Sequence, residues 1–176
     1  MLGSYFINIF MEYKPTLLCL TGFLGSGKTT VAGMFGEYKD TLVTSNIDDI
    51  KKIDETDKKI VVYDSIKDPE EIVYFRWLHK FKNVSVVDVK CKMEERIKRV
   101  KERDNCSEIS FYMRDKARRW LAYHRLLKPE WNIYNNRTIK ETKDEVYYIH
   151  NIITEEPKRL TNQFTNGIIT NLQNQR

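Results

Sequence analysis

One stretch, TLLCLTGFLGSGKTTVAGMF from Thr16 to Phe35, constrains the fold of this chain more than any other. An apolar run breaks into three glycines, Gly22, Gly25 and Gly27, then Lys28, Thr29 and Thr30, and continues as a helical pattern. Gly22 to Thr29 fits GxxxxGK[ST], in which a glycine-rich turn between strand and helix cradles a polyphosphate with its backbone N–H groups. Glycine tolerates the dihedrals such a turn needs and keeps a Cβ out of the path of the phosphates. The helix that follows aims unpaired N–H groups and the positive end of its dipole at the same place. Lys28 adds a mobile full charge at the β- and γ-phosphates, Ser26 and Thr30 complete the loop, and the Thr29 hydroxyl suits a bound Mg²⁺. A chance glycine turn has no need of a strand before it and a helix after it.

Five apolar runs alternate with helical patterns: Thr16–Thr21, Thr41–Ser45, Lys59–Asp64, Asn83–Lys90 and Glu145–Asn151. Alternation of this kind predicts a parallel sheet with crossover helices, and runs such as IVVYD and VSVVDV suit strands covered on both faces. The expected fold class is α/β, a three-layer α/β/α sandwich around a five-stranded parallel sheet. Asp68, Pro69, Glu70 and Glu71 read as a capped helix start. Met93, Ile97 and Val100 recur at helical spacing. So do Met113, Ala117, Trp120, Leu121 and Leu127, with Arg114, Arg118 and Arg125 along the edge of that stripe. WNIYNNRTIKETKD reads as a long polar loop, and a last helix is expected from Thr154 through Leu160, Phe164 and Ile168. Asp64, closing IVVYD, would lie near the phosphates and the magnesium; its plainer reading is a strand-end aspartate that caps the next turn.

The 176 residues suit one domain, read as residues 11–176 with 1–10 as an N-terminal extension. MLGSYFINIF is too short to span a bilayer and lacks a signal-peptide layout, so no membrane association is expected. Three cysteines without CxxC spacing and three scattered histidines argue against a disulfide framework or a protein-held metal and point to a reducing cytoplasm. A net charge of +5 is satisfied by a phosphorylated small molecule or by nucleic acid.

With these residues in hand, the chain resembles the adenylate-kinase-like P-loop kinases, which include nucleoside and deoxynucleoside monophosphate kinases and dephospho-coenzyme A kinase. The resemblance runs in patches from about Thr16 to Thr170. VTSNIDDIKK is similar to the acceptor segment, with Asp48 and Lys51 as acceptor-binding candidates; VVYDSIKDPEEIVYFR is similar to the strand-acid-helix segment, with Lys67 in place of a common arginine. RIKRVKERDN resembles the start of a mobile lid. Arg99 and Arg103 there match the pair that packs on adenine and reaches the phosphates. FYMRDKARRW resembles the end of the lid, placing the lid-like segment at about 103–115 with Arg114 as a phosphate clamp. YYIHNIITEEPKRL resembles the last strand and the loop near the base, with Asn151 beside the nucleotide. The resemblance implies an ATP- and Mg²⁺-dependent phosphotransferase in which Lys28, Arg103 and Arg114 are catalytic. Arginines converging on the transferred group would offset its spreading negative charge.

The chain from Ser45 to Lys59 is too short for the separate acceptor-binding helices of typical monophosphate kinases, and an acidic surface turn is an equal reading of Asp48 and Asp49. The acceptor is therefore open between a nucleoside or deoxynucleoside monophosphate and another group such as a polynucleotide end, which Trp120 and Tyr123 near Arg118 and Arg125 would help hold by stacking. A nucleotide-driven switch or metallochaperone-type NTPase is a further alternative, because GFLGSGKTT looks like that loop too. No NKxD element for guanine accompanies it.

Overall fold

The computed structural model describes residues 14–53, 56–64, 66, 68–120 and 128–155, with the backbone alone at 117–120. Five strands, β1 (Thr16–Thr21), β2 (Thr41–Thr44), β3 (Ile60–Tyr63), β4 (Asn83–Lys90) and β5 (Trp131–Tyr134), form one parallel sheet in the order β2-β3-β1-β4-β5. The helices are α1 (Lys28–Gly36), α2 (Ile47–Lys52), α3 (Pro69–Trp77), α4 (Met93–Asp104), α5 (Glu108–Trp120) and α6 (Ile139–Thr154).

The sheet is covered on both faces because alternate residues of the central strands are apolar in both directions. On one face Leu18, Leu20, Val62 and Val87 pack with Val31 and Phe35 of α1 and with Val146 and Ile149 of α6. On the other, Leu17, Cys19, Val61 and Val86 pack with Ile50 of α2 and with Ile72 and Phe75 of α3. A third cluster, Leu24, Val100 and Phe111, lies under the tip of the glycine turn, where α4 meets α5. The expected three-layer sandwich is the observed architecture. Asp68 caps α3 as its sequence implied, accepting from the Glu70 N–H at 2.9 Å.

Three local expectations are corrected. The fifth strand is Trp131–Tyr134, not Glu145–Asn151, so WNIYNNRTIKETKD is a strand, a turn and a helix start rather than a long loop. Ile133 is fully buried, which anchors the short strand in the sheet. Residues 145–151 are helical because Thr142, Val146 and Ile149 are buried at spacings of four and three, the helical period. Thr138 and Glu141 form a reciprocal capping box that starts this helix.

The second correction concerns α5. Met113 is 69% exposed, whereas Phe111 and Asp115, four apart, point inward; the side chains at Ala117 and Trp120, and residues Leu121 and Leu127, lie outside the described residues, as do the Arg118 side chain, Arg125 and Tyr123. Third, the segment after β2 is a six-residue helix rather than a turn, capped by Asn46, whose side chain accepts from the Asp48 N–H at 3.0 Å. The helix expected beyond Thr154 falls almost wholly outside the described residues, and Lys67 falls outside them too.

Candidate functional site

The glycine turn joins the carboxyl end of β1 to the start of α1. β1 has β3 on one side and β4 on the other, so the chain winds in opposite directions from this point, the place where open α/β sheets leave a crevice. Gly25 and Gly27 have φ of +76° and +90°, a left-handed backbone that disfavours any Cβ. They are also confined by packing. A Cβ on Gly25 would lie 2.8 Å from the Arg96 carbonyl oxygen, and one on Gly27 would collide with the Asn135 side-chain amide. A Cβ on Gly22 would similarly lie 2.6 Å from the Val89 carbonyl oxygen. The glycines let the loop sit tightly against β4, α4 and the turn after β5.

A cavity of about 600 Å³ opens over this loop, and the structure brings nine of the sequence-derived candidates to it: Gly25, Gly27, Lys28, Thr29, Thr30, Asp64, Arg99 and the pair formed by Arg103 and Arg114. Lys28 lies against the loop itself, its Nζ donating to the carbonyls of Gly22 at 2.9 Å and Phe23 at 3.3 Å. Ser26 is buried, and its hydroxyl makes no hydrogen bond among the described residues. The cavity wall carries Lys28, Arg99, Arg103 and Arg114 against the single carboxylate of Asp64. The ionisable groups of the lining are mostly cationic. An anion of high charge is the ligand such a wall attracts.

The arginines are held differently. Arg99, from α4, donates to the Asn135 carbonyl oxygen at 2.8 Å, joining the cavity to the turn after β5. Arg103 and Arg114 both grip Asp104, through Arg103 Nε at 2.6 Å and Arg114 Nη1 at 2.6 Å. These two guanidiniums, Arg103 foremost, hold the Asp104 carboxyl well below the usual carboxylate range. The lid-like segment 103–115 is the end of α4, a tight turn at residues 105–107 and the first part of α5. It is a helical corner rather than a long flap.

Asp64 stands at the end of β3 on the cavity wall, with its Oδ1 buried and without a hydrogen-bond partner among the described residues. An orphaned carboxylate oxygen sharing a cavity with the Thr29 hydroxyl is a donor set that fits a hard divalent cation such as Mg²⁺.

Other candidates are not gathered there. Asp48 pairs with Lys51 at 2.9 Å on the exposed face of α2, which lowers the acid's pKa and raises the base's. Neither lines the cavity, and Asp49 accepts from the Thr44 hydroxyl at 2.7 Å. Asn151 sits near the end of α6 rather than in a loop after the last strand, and it does not line the cavity.

Two residues were not singled out by the sequence. Asn135, directly after β5, donates from its side-chain amide to the Ser26 carbonyl at 2.9 Å. Arg96 is buried with Asp115, 2.7 Å away, and also donates to the Leu24 carbonyl at 3.2 Å. Its guanidinium lies between the rings of Phe23 and Phe111, at 5.0 and 5.6 Å from their centroids. Both residues fasten the glycine loop through its carbonyls. For Asn135 the available signal was the WNIY run ahead of a capping box. Nothing in the sequence marks Arg96 apart from the other cations of its helix.

No family model matches the sequence, and no curated protein matches it by sequence. Solved structures do match. Shikimate kinase from Bacteroides thetaiotaomicron superposes with a TM-score of 0.54 at 10% identity, covering 80% of this chain and 99% of that one. A fungal RNA kinase gives 0.53 at 12%, covering 84% and 90%, and deoxyadenosine kinase from M. mycoides gives 0.51 at 12%, covering 78% and 100%. This chain has the P-loop kinase fold. Within that fold, the cavity over the glycine turn lies at the carboxyl ends of β1 and β3, and α4 and α5 form its basic wall. No described helix of this P-loop kinase fold is long and apolar enough to cross a membrane.

Proposed function

We propose that the chain is an ATP-dependent phosphotransferase that moves the γ-phosphate to a small phosphorylated acceptor, a nucleoside or deoxynucleoside monophosphate. The observation that carries this reading is the single cavity lined by Lys28, Thr29, Asp64, Arg99, Arg103 and Arg114. A site for simple nucleotide retention needs the loop and its lysine. Two further arginines in the same lining are what a migrating phosphoryl group requires, because negative charge spreads over its oxygens during transfer.

In this reading the first-turn N–H groups of α1 and the Lys28 ammonium bind the β- and γ-phosphates, Lys28 exchanging its loop carbonyls for phosphate oxygens. Thr29 and Asp64 would hold Mg²⁺, which neutralises charge on the same oxygens. Arg103 and Arg114 orient the γ-phosphoryl group. An acceptor phosphate oxygen attacks the γ-phosphorus; a new P–O bond forms while the bond to the β–γ bridging oxygen breaks, and ADP leaves with that electron pair. The acceptor oxygen is already ionised at neutral pH, so no general base is needed. The base of the nucleotide is assigned to the side where Arg99 meets Asn135, in place of Asn151.

A second reading, a polynucleotide end as acceptor, is favoured by the brevity of α2, whose Asp48 and Lys51 are spent on each other and leave that side of the cleft open. The kinship in fold with an RNA kinase agrees with it. The test is incubation with γ-labelled ATP, Mg²⁺, a panel of ribo- and deoxynucleoside monophosphates and short oligonucleotides. Label moving to a monophosphate, and absent with Lys28→Ala, supports the first reading. Label on oligonucleotide ends selects the second, and label found only as inorganic phosphate contradicts both.

A further inference from the structure

We propose that Asp104 is a positioning residue that gathers Arg103 and Arg114 into one clamp facing the γ-phosphate. The inference rests on the reading of the cavity as a polyphosphate site. Both arginines line the cavity, and Asp104 does not. The carboxylate binds both guanidiniums without being part of the lining and leaves part of each donor edge for a ligand. Arg103 offers it Nε at 2.6 Å and Nη2 at 3.0 Å, a side-on pair, and Arg114 offers Nη1 at 2.6 Å. Arg103 keeps Nη1 unused in these bonds, and Arg114 keeps Nε and Nη2. Without the shared anion, two adjacent cations would repel and swing apart into solvent.

The location of the acid supports this role. Asp104 is the last residue of α4, followed by Asn105 in a left-handed conformation with φ of 46°. An aspartate there faces the negative end of the helix dipole, a locally unfavourable choice. Local rules are broken where a site demands it, and here the compensating partners are the two arginines of the cavity. One carboxylate also bridges α4 to α5 across the corner, fixing the distance between the two cations.

The experiment compares Mg-ATP and Mg-ADP affinities by calorimetry for the full chain and for Asp104→Asn, at two salt concentrations. The ratio of the two affinities isolates the γ-phosphate. In the variant this ratio should fall at least about threefold, with ADP affinity changed by less than about twofold. Asp104→Glu should recover part of the ratio, and the melting temperature without ligand should stay within about 3 °C of wild type, as expected for exposed ion pairs. An unchanged ratio, or a higher one, overturns the inference; a higher one would mean that Asp104 competes with the phosphate. Equal loss for both nucleotides also overturns it. Wild-type protein that binds neither nucleotide overturns the underlying reading as well.

Discussion

Asn135 and Ser26, 109 positions apart in sequence, are joined by a 2.9 Å hydrogen bond from the asparagine side-chain amide to the serine carbonyl. The bond pins the glycine loop to the turn after the edge strand, and Arg99 reaches the backbone carbonyl of the same asparagine. Asn135→Ala removes the first bond and keeps the acceptor for Arg99. It should cost about 1 kcal/mol in chemical denaturation. It should also weaken Mg-ATP binding by about three- to tenfold through a loosened loop.

Gly27→Ala places a Cβ against Asn135 at a residue whose φ is +90°. The left-handed conformation alone costs about 1–2 kcal/mol for a residue with a Cβ. The variant should fold with a lowered melting temperature and show no stabilisation by Mg-ATP in a thermal-shift assay. Gly33→Ala is the control. No heavy atom lies within 4 Å of a Cβ there, so it should fold and bind as wild type or slightly better.

The buried Arg96–Asp115 pair predicts a sharp asymmetry. Arg96→Met alone removes the guanidinium that donates to the buried Asp115 and should cost about 3–5 kcal/mol. The double variant Arg96→Met/Asp115→Leu should recover most of that stability. Urea denaturation of the two proteins makes the comparison, and equal losses would contradict it.

Cys19 is fully buried in the sheet, and burial pushes its thiol pKa well above the ordinary value. Because alkylation requires the thiolate, this cysteine should remain unmodified by iodoacetamide up to about pH 9. Half-buried Cys106 and Cys91 should label first; the thiol of Cys91 is also raised by burial. Peptide mapping before and after unfolding distinguishes the three.

Most of the sheet was legible from Thr16 to Lys90, because strands buried on both faces announce themselves as unbroken apolar runs. The turn between β1 and α1 was legible for a different reason: its left-handed positions call for glycine at fixed places, here Gly25 and Gly27. The fifth strand was not. WNIY is short and half polar, while EVYYIHN is longer and more apolar, so hydrophobic density favoured the wrong segment. The capping box at Thr138 and Glu141 and the buried spacing of Thr142, Val146 and Ile149 carried the correct signal. In the proposed reading the base side is accordingly taken at the Asn135 turn rather than at Asn151, which lies in α6. Asp104 and Arg96 were illegible because pairing across a helical corner has no one-dimensional pattern.

The most direct measurement is calorimetric titration of the full chain with Mg-ATP, beside Lys28→Ala. A basic cavity over a glycine loop whose lysine lies in place predicts saturable one-to-one binding to wild type, weakened at least about thirtyfold by the substitution. No heat of binding and no change in melting temperature with wild-type protein, or equal affinity in the two proteins, would contradict the account.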